Sequence, residues 1–173
     1  MPPLHHREPG LAGLISGPEA EAPYYSLIAD GIHLHPATAA LAFRANPRRA
    51  ILITDAIELA GLDDGVYPGH AQIPHAQRKD GNRVTIDGTD TLIGSCCSLD
   101  ECVRNLVKFS GCELAEAVRC VTENVADLMG VEGERGRLKE GCRADFVVLS
   151  DEGEVLQTWV GAQMVWDSGR PLS

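Results

Sequence analysis

A strand–helix–strand pattern between residues 26 and 56 constrains the fold of this chain more than any other feature. An apolar run that stops at Asp30 and a second run from Ala50 to Ile53 are separated by an alanine-rich stretch from Pro36 to Ala45. Continuous apolar runs are typical of parallel strands that are buried on both faces. A crossover of this length between parallel strands is usually a helix. The pattern therefore predicts a βαβ unit of an α/β fold.

Side chains able to do chemistry follow both predicted strands. Asp30 and His33 come after the first strand, and Asp55 comes after the second. In parallel α/β folds, ligands bind just beyond the carboxyl ends of the strands. These residues are therefore candidates for a functional site. The local sequence leaves a second role open for Asp55, because aspartate also caps helices and forms turns.

Composition and charge exclude several classes of protein. The chain has 173 residues, of which 44% are hydrophobic, and a net charge of -10. This apolar content predicts a folded core, and the negative charge argues against binding to nucleic acid or to an anionic membrane. No apolar run reaches the ~18 residues of a membrane-spanning helix. The six cysteines form no C-x-x-C pair, which favours reduced thiols over a zinc knuckle or a disulfide framework. A cytoplasmic location is expected.

The remaining segments alternate between loop, helix and strand signals. Residues 1–23 and 58–77 are predicted as loops, with one helical turn near 11–15, and residues 78–90 as an antiparallel excursion. Helical spacing predicts helices over about 99–109 and 114–129. Ser98 with Glu101 has the spacing of a capping box. The chain ends in a predicted β-meander from residue 144.

Five short motifs occur in the order found in one enzyme family. They are M-P-P-L-H-H-R-E-P-G, A-D-G-I-H, I-T-D-A, T-L-I-G-S and V-R-N-L-V. Together they resemble the C-terminal part of the N-acetylglucosamine-6-phosphate deacetylases, within the metal-dependent amidohydrolase superfamily. Residues Gly136 to Leu149 are similar to the usual tail of that superfamily. The resemblance implies the C-terminal part of a (β/α)₈ TIM barrel over residues 1–135, with a β-hairpin near 78–90. Residues 136–173 would supply strands of a small β-sandwich domain.

The resemblance also implies an activity and a cofactor. The family hydrolyses N-acetyl-D-glucosamine 6-phosphate to D-glucosamine 6-phosphate and acetate, in amino-sugar catabolism. It uses a divalent metal, expected to be zinc, and the matching Glu and His ligands would lie upstream of Met1. A full barrel takes ~250 residues, so we expect this chain to be a fragment that lacks the metal ligands and is inactive alone. The adjacent His5 and His6 do not match the family's metal site. The complete enzyme is expected to be a homodimer.

Several residues match functional positions of the family. Asp55 matches the catalytic carboxylate at the end of the last barrel strand. Arg7 matches an arginine that binds the substrate phosphate, for which a planar guanidinium is suited. The matches in the substrate-binding segments are Asp30, Gly31, Ile32, His33, Leu92, Ile93 and Gly94. His33 would hydrogen-bond near the sugar phosphate. The family usually has Ser or Ala where this chain has Ile93, and the larger side chain would narrow the sugar pocket.

Two alternatives stay open. One is another amidohydrolase that shares the barrel but lacks the phosphate site, and Arg7 together with His33 argues against it. The other is a non-catalytic fragment or short form that associates with full-length subunits. An in-frame Thr-His-x-x-Asn-Ala upstream of Met1 would distinguish a truncated enzyme from such a short form.

Overall fold

The βαβ unit predicted from the sequence is present. The computed structural model describes residues 5–18 and 22–170, so the match of Met1 to the family motif lies outside the described residues. The first elements are α1 (Gly10–Leu14), β1 (Tyr25–Ile28), α2 (Pro36–Ala45) and β2 (Ala50–Ile53). Strands β1 and β2 are parallel, with Tyr25 paired to Ala50 and Ile28 paired to Ile53. Both strands therefore present their carboxyl ends at the same edge.

Helix α2 begins and ends where the local sequence dictates. The Nδ1 atom of His35 accepts the backbone N–H of Ala37 at 3.2 Å, and Pro36 follows as the first helical residue. Proline is well placed there because its missing N–H would have no partner within the helix. The helix ends at Ala45, and the non-helical Asn46 follows immediately before Pro47, a residue that disfavours helical backbone on its N-terminal side.

A four-stranded antiparallel sheet follows β2. Its strands pair in chain order and are β3 (Gly65–Tyr67), β4 (Gln77–Asp80), β5 (Arg83–Ile86) and β6 (Leu92–Ser95). Strands β4 and β5 form a hairpin within the predicted excursion, but the sheet is larger than expected. The loop predicted over 58–77 contains β3, because Gly65–Tyr67 pairs with β4. A parallel bridge between Ala56 and Ser95 joins the end of β6 to the chain just after Asp55.

Helix α3 spans Leu99–Ser110, close to the predicted range, but the predicted capping box is wrong. The side chain of Ser98 makes no capping hydrogen bond. Glu101 instead accepts the Nδ2–H of Asn82 through Oε1 at 2.7 Å. Glu101 is therefore bonded to Asn82, in the β4–β5 turn, instead of to the backbone of Ser98. A capping box is found one helix later, between Glu113 and Glu116.

The single helix predicted over 114–129 is two helices, α4 (Leu114–Arg119) and α5 (Glu123–Met129). At the break, the carbonyl of Cys120 accepts the N–H of Leu52 in β2 at 3.1 Å. The Nδ2 atom of Asn124 donates to the carbonyl of Ala50 at 2.7 Å. Because these groups bond to the backbone of β2, the helical hydrogen-bonding pattern is interrupted between α4 and α5.

The chain ends in the predicted antiparallel meander, made of β7 (Phe146–Leu149), β8 (Val155–Val160) and β9 (Gln163–Asp167). Its inner face borders an apolar cleft of about 360 Å³, which Val103 of α3 and Val118 of α4 line on the opposite side. Arg104 donates to the carbonyl of Gly153 at 3.2 Å across this contact. The division into two domains at residues 135 and 136 stays a prediction.

The apolar core lies between the parallel strands and helices α2, α3 and α4. Its larger buried members are Leu27, Phe43, Leu52, Cys102, Val103 and Leu106. Burial of one such aliphatic or aromatic side chain contributes about 1.5–3 kcal/mol, so this core fixes the strand ends firmly. All six cysteines are among the described residues and are free thiols. Within residues 5–18 and 22–170, no helix has the length and hydropathy needed to cross a bilayer.

Candidate active site at the strand ends

Asp30 lies two positions after the last residue of β1, Ile28, and its side chain is fully buried. Its Oδ1 accepts the backbone N–H groups of Ile32 and His33, both at 2.9 Å. Its Oδ2 lies 2.7 Å from Nδ1 of His33. Burial alone would raise the pKa of Asp30, but the hydrogen bonds from the His33 ring and from the two backbone groups outweigh it. The pKa of Asp30 is therefore below its ordinary value, and the carboxylate is ionised at neutral pH.

His33 connects the two strand ends. One ring nitrogen, Nδ1, faces Asp30, and the other, Nε2, lies 3.8 Å from Oδ2 of Asp55. This separation exceeds a hydrogen bond, so the two side chains do not bond directly. The imidazole is 17% exposed, which leaves the Nε2 side open to a ligand. Asp30, His33 and Asp55 thus come together at one edge, as their positions after parallel strands predicted.

Asp55 has a different environment from Asp30, because its side chain is 54% exposed. Its backbone φ is +53°, in the left-handed region that residues other than glycine rarely adopt. The chain after Asp55 forms the bridge at Ala56 and then turns, and no helix begins there. A helix-capping role therefore does not explain this residue. A turn role stays open, because aspartate adopts this region more readily than most residues. The exposure of its carboxylate keeps Asp55 a candidate functional residue.

The segment Leu92–Gly94, which matches a substrate-binding segment of the family, lies within strand β6. The N–H of Ser95, at its end, donates to the carbonyl of Asp55 at 2.8 Å. Gly94 has a φ of +138°, and a Cβ atom at this position would lie 3.1 Å from the carbonyl oxygen of Asp55 and 2.5 Å from Cγ2 of Ile57. Leu92 and Ile93 are partly exposed. The strand therefore supports the backbone of Asp55 from one side.

Arg7 is not joined to these three side chains. It is exposed, and its backbone N–H donates to Nδ1 of His5 at 3.3 Å. Gly31 has a φ of +75° in the turn that Asp30 closes, which is consistent with its predicted place next to a ligand. Ile32 is partly buried in the same turn.

Asn105 is a supporting residue that the sequence did not single out for a role. Its Nδ2 donates to the carbonyl of Ala29 at 2.9 Å and ties α3 to the end of β1. Cys102, one turn earlier on α3, is fully buried beneath the same edge and lies 3.8 Å from the carbonyl of Ile53. The only signal for Asn105 in the sequence was its place within the V-R-N-L-V motif.

The described residues do not make up a metal site by themselves. Within residues 5–18 and 22–170, no three His, Cys, Asp or Glu side chains are close enough to hold a metal ion. His33 and Asp55 offer two donors at the strand ends, whereas catalytic zinc sites use three protein ligands. A metal here would require further ligands from outside the described residues.

Comparison with known proteins identifies the class of protein to which this chain belongs. The model of the amidohydrolase family matches residues 16–165. The chain is 39% identical over 170 residues to N-acetylglucosamine-6-phosphate deacetylase of Danio rerio, a match that covers 96% of this chain and 41% of that protein. It is also 39% identical over 164 residues to N-acetylgalactosamine-6-phosphate deacetylase of Escherichia coli O157:H7, covering 95% of this chain and 42% of that protein. A shorter relative from Escherichia coli K12 is 39% identical as well, and the chain covers 95% of it.

Solved structures agree in fold. N-acetylglucosamine-6-phosphate deacetylase of Thermotoga maritima superposes with a TM-score of 0.83 at 30% identity, over 96% of this chain and 44% of that one. The chain belongs to the amidohydrolase family. The predicted resemblance to N-acetylglucosamine-6-phosphate deacetylases and the predicted (β/α)₈ amidohydrolase class are confirmed. The chain spans about two fifths of the length of the Danio rerio deacetylase, since it covers 41% of it.

Proposed function

We propose that this chain is part of an enzyme that hydrolyses the acetamide group of N-acetyl-D-glucosamine 6-phosphate. The products would be D-glucosamine 6-phosphate and acetate, in amino-sugar catabolism. The observation that carries this proposal is the half-exposed carboxylate of Asp55 at the end of a parallel strand, 3.8 Å from His33. The names of the relatives supply the substrate class.

Asp55 is proposed as the catalytic residue, because amide hydrolysis requires the movement of one proton. Water attacks the carbonyl carbon and loses a proton, the C–N bond breaks, and the leaving nitrogen gains a proton. An exposed carboxylate can take the first proton and deliver it to the amine. Asp55 has the required exposure, and its backbone is anchored through the hydrogen bond from Ser95.

The other predicted residues are proposed to bind the sugar phosphate. Nε2 of His33 faces the same edge as Asp55 and is able to bond to the ligand. Arg7 would contact the phosphate through its guanidinium group. Leu92, Ile93 and Gly94 would border the sugar, with Asp30, Gly31 and Ile32 forming the turn beside it.

The amidohydrolase family is generally metal-dependent. We propose a divalent metal, expected to be zinc, which would polarise the amide carbonyl and activate water. Its ligands would come from outside the described residues. The complete enzyme is proposed to be a cytoplasmic homodimer. It would bind its small-molecule substrate and would bind neither nucleic acid nor a membrane.

A second candidate substrate is the 4-epimer, N-acetyl-D-galactosamine 6-phosphate. The relative named for that substrate is as similar as the one named for the glucosamine compound, since both are 39% identical. Overall similarity therefore does not distinguish the epimers. The alternative to an enzymatic role is that the chain is a non-catalytic short form that associates with full-length subunits.

The test is release of acetate from each epimer by the product of the complete gene, with the 173-residue chain assayed beside it. We expect the glucosamine compound to be preferred. Turnover of neither epimer by the complete product would contradict the proposal, and turnover of the galactosamine compound alone would replace the first substrate by the second.

The phosphate contact has its own test. Arg7→Ala should raise KM for the phosphorylated sugar about ten- to a hundred-fold, because a hydrogen bond to a charged group contributes about 1.5–3 kcal/mol. The KM for unphosphorylated N-acetylglucosamine should stay unchanged. Arg78→Ala, on the exposed β4 surface, is the matched control. An equal loss on both sugars would show that Arg7 does not contact the phosphate.

A further inference from the structure

We propose that Asp30 is a positioning residue, which holds the Nδ1–H of His33 so that only Nε2 of the ring is presented to a ligand beside Asp55. The proposal differs from the substrate-binding role that the sequence suggested for Asp30. It rests on the proposed function only for the identity of the ligand at Nε2. The hydrogen-bonding arrangement itself can be tested without an activity.

Burial removes Asp30 from direct contact with a substrate. Its side chain is fully buried and accepts three hydrogen bonds, at 2.9, 2.9 and 2.7 Å, all from within the turn 30–33. Both carboxyl oxygens therefore already have partners. The carboxylate of Asp30 can therefore affect a ligand only indirectly, by positioning the ring of His33.

Other histidines of the chain show why the arrangement at His33 is distinctive. In His35 and His70, Nδ1 accepts a backbone N–H from the residue two positions later, at 3.2 Å in both cases. A nitrogen that accepts a hydrogen bond carries no hydrogen, so these rings carry it on Nε2. In His33, Nδ1 faces a carboxylate that can only accept. The hydrogen must then be on Nδ1, and Nε2 is the free position of the ring.

The ionised state of Asp30 supports this assignment. The pKa of Asp30 is lowered because the hydrogen bonds from His33 and the backbone outweigh the effect of burial. A protonated carboxyl group could donate to the ring, whereas an ionised one cannot. The carboxylate thus selects the Nδ1–H form of His33 and fixes the orientation of the ring.

The variant Asp30→Asn separates positioning from a purely structural role. The amide oxygen of Asn would keep the two bonds from the backbone N–H groups of Ile32 and His33, which preserves the turn. Its NH₂ group would then face Nδ1 of His33. Since an NH₂ group can only donate, Nδ1 would have to become the acceptor, and the hydrogen would move to Nε2. The turn stays intact while the tautomer inverts.

The experiment is long-range ¹H–¹⁵N correlation spectroscopy of ¹⁵N-histidine-labelled protein at pH 8, on the wild type and on Asp30→Asn. The His33→Gln variant assigns the signals, and His35 serves as an internal reference for the Nε2–H form. We expect Nδ1 of His33 to carry hydrogen in the wild type and to move to the ¹⁵N shift of the His35 Nδ1 in Asp30→Asn. Both spectra are recorded on the product of the complete gene.

Two results would overturn the proposal. One is a bare Nδ1 on His33 in the wild type, a measurement that does not depend on whether the variant folds. The other is an unchanged tautomer in a folded Asp30→Asn protein, which would leave Asp30 with a role in the turn alone. If the complete enzyme proved not to be a deacetylase, neither spectrum would change. Failure of the proposed function and failure of the positioning role of Asp30 are therefore distinguishable.

Discussion

The ends of β1 and β2 carry the same residue type in opposite environments. Asp30 is buried, holds three hydrogen bonds and has a lowered pKa. Asp55 is half-exposed and sits in left-handed backbone, with its carboxylate beyond hydrogen-bond distance of its neighbour His33. The first arrangement stabilises the fold at the expense of reactivity, and the second leaves a carboxylate available for proton transfer at some cost in backbone strain. Each of the following predictions tests this contrast.

The largest expected effect is on catalysis at Asp55. In the complete enzyme, Asp55→Asn should lower kcat by about 10²- to 10⁴-fold, because the amide cannot accept a proton. Acetate release at saturating substrate measures this, with the melting temperature recorded to show that the protein stays folded. Asp151→Asn, in an exposed turn, is the matched control. A kcat near that of the control would remove Asp55 from the reaction.

The next largest effect is on stability at Asp30. Asp30→Ala should lower the free energy of unfolding by about 2–4 kcal/mol, because the N–H groups of Ile32 and His33 lose their acceptor. Asp30→Asn should recover most of this loss, and urea unfolding of the two variants measures both. Asp55→Ala is the comparison at the other strand end and should lower the free energy of unfolding by less than about 1 kcal/mol. The Asp55 carboxylate is exposed to water, so its removal leaves no buried group without a partner. Equal losses at the two positions would contradict the contrast between them.

The dependence of stability on pH should also differ between the two ends. The folded-state pKa of Asp30 is below its ordinary value of 3.8, so its ionised form stabilises the folded protein fully above the unfolded pKa. This stabilisation is lost as the pH falls through the folded pKa. The stability advantage of wild type over Asp30→Asn should therefore shrink as the pH falls below about 4. Urea unfolding from pH 5 to pH 3 measures it, and an advantage that grows over this range would have the wrong sign.

The smallest expected effect is the relief of backbone strain. Asp55→Gly should raise the free energy of unfolding by about 0.5 kcal/mol, since glycine adopts positive φ without steric cost. Ala162, with a φ of +63° and no proposed role, offers the control Ala162→Gly, which should gain about 1 kcal/mol. Thermal unfolding measures both. Destabilisation by Asp55→Gly alongside stabilisation by Ala162→Gly would mean that the Asp55 side chain supports the fold.

Features set by neighbouring residues were predictable from the sequence. The βαβ unit followed from apolar runs and from Pro47, and the meeting of Asp30, His33 and Asp55 followed from parallel strands. Features set by distant partners were not predictable. The break between α4 and α5 depends on a bond from Leu52, 68 positions before Cys120.

The same reason explains two further differences. Glu101 bonds to Asn82 rather than closing the capping box, and β3 exists only through its pairing with β4. At the candidate site, the sequence placed Asp30 and Asp55 correctly after their strands. It could not indicate that one carboxylate is buried and the other exposed, because burial depends on how α3 packs against the strand ends.

The close approach of Gly94 to Asp55 limits how this family member can evolve. A side chain at position 94 would press on the Asp55 carbonyl and on Ile57, so a change there would disturb the backbone of the proposed catalytic residue before it altered the proposed contact with the sugar. Leu92 and Ile93 are partly exposed on the same strand and carry no such restriction. Selection for a new sugar preference should therefore accumulate changes at positions 92 and 93 while position 94 remains glycine.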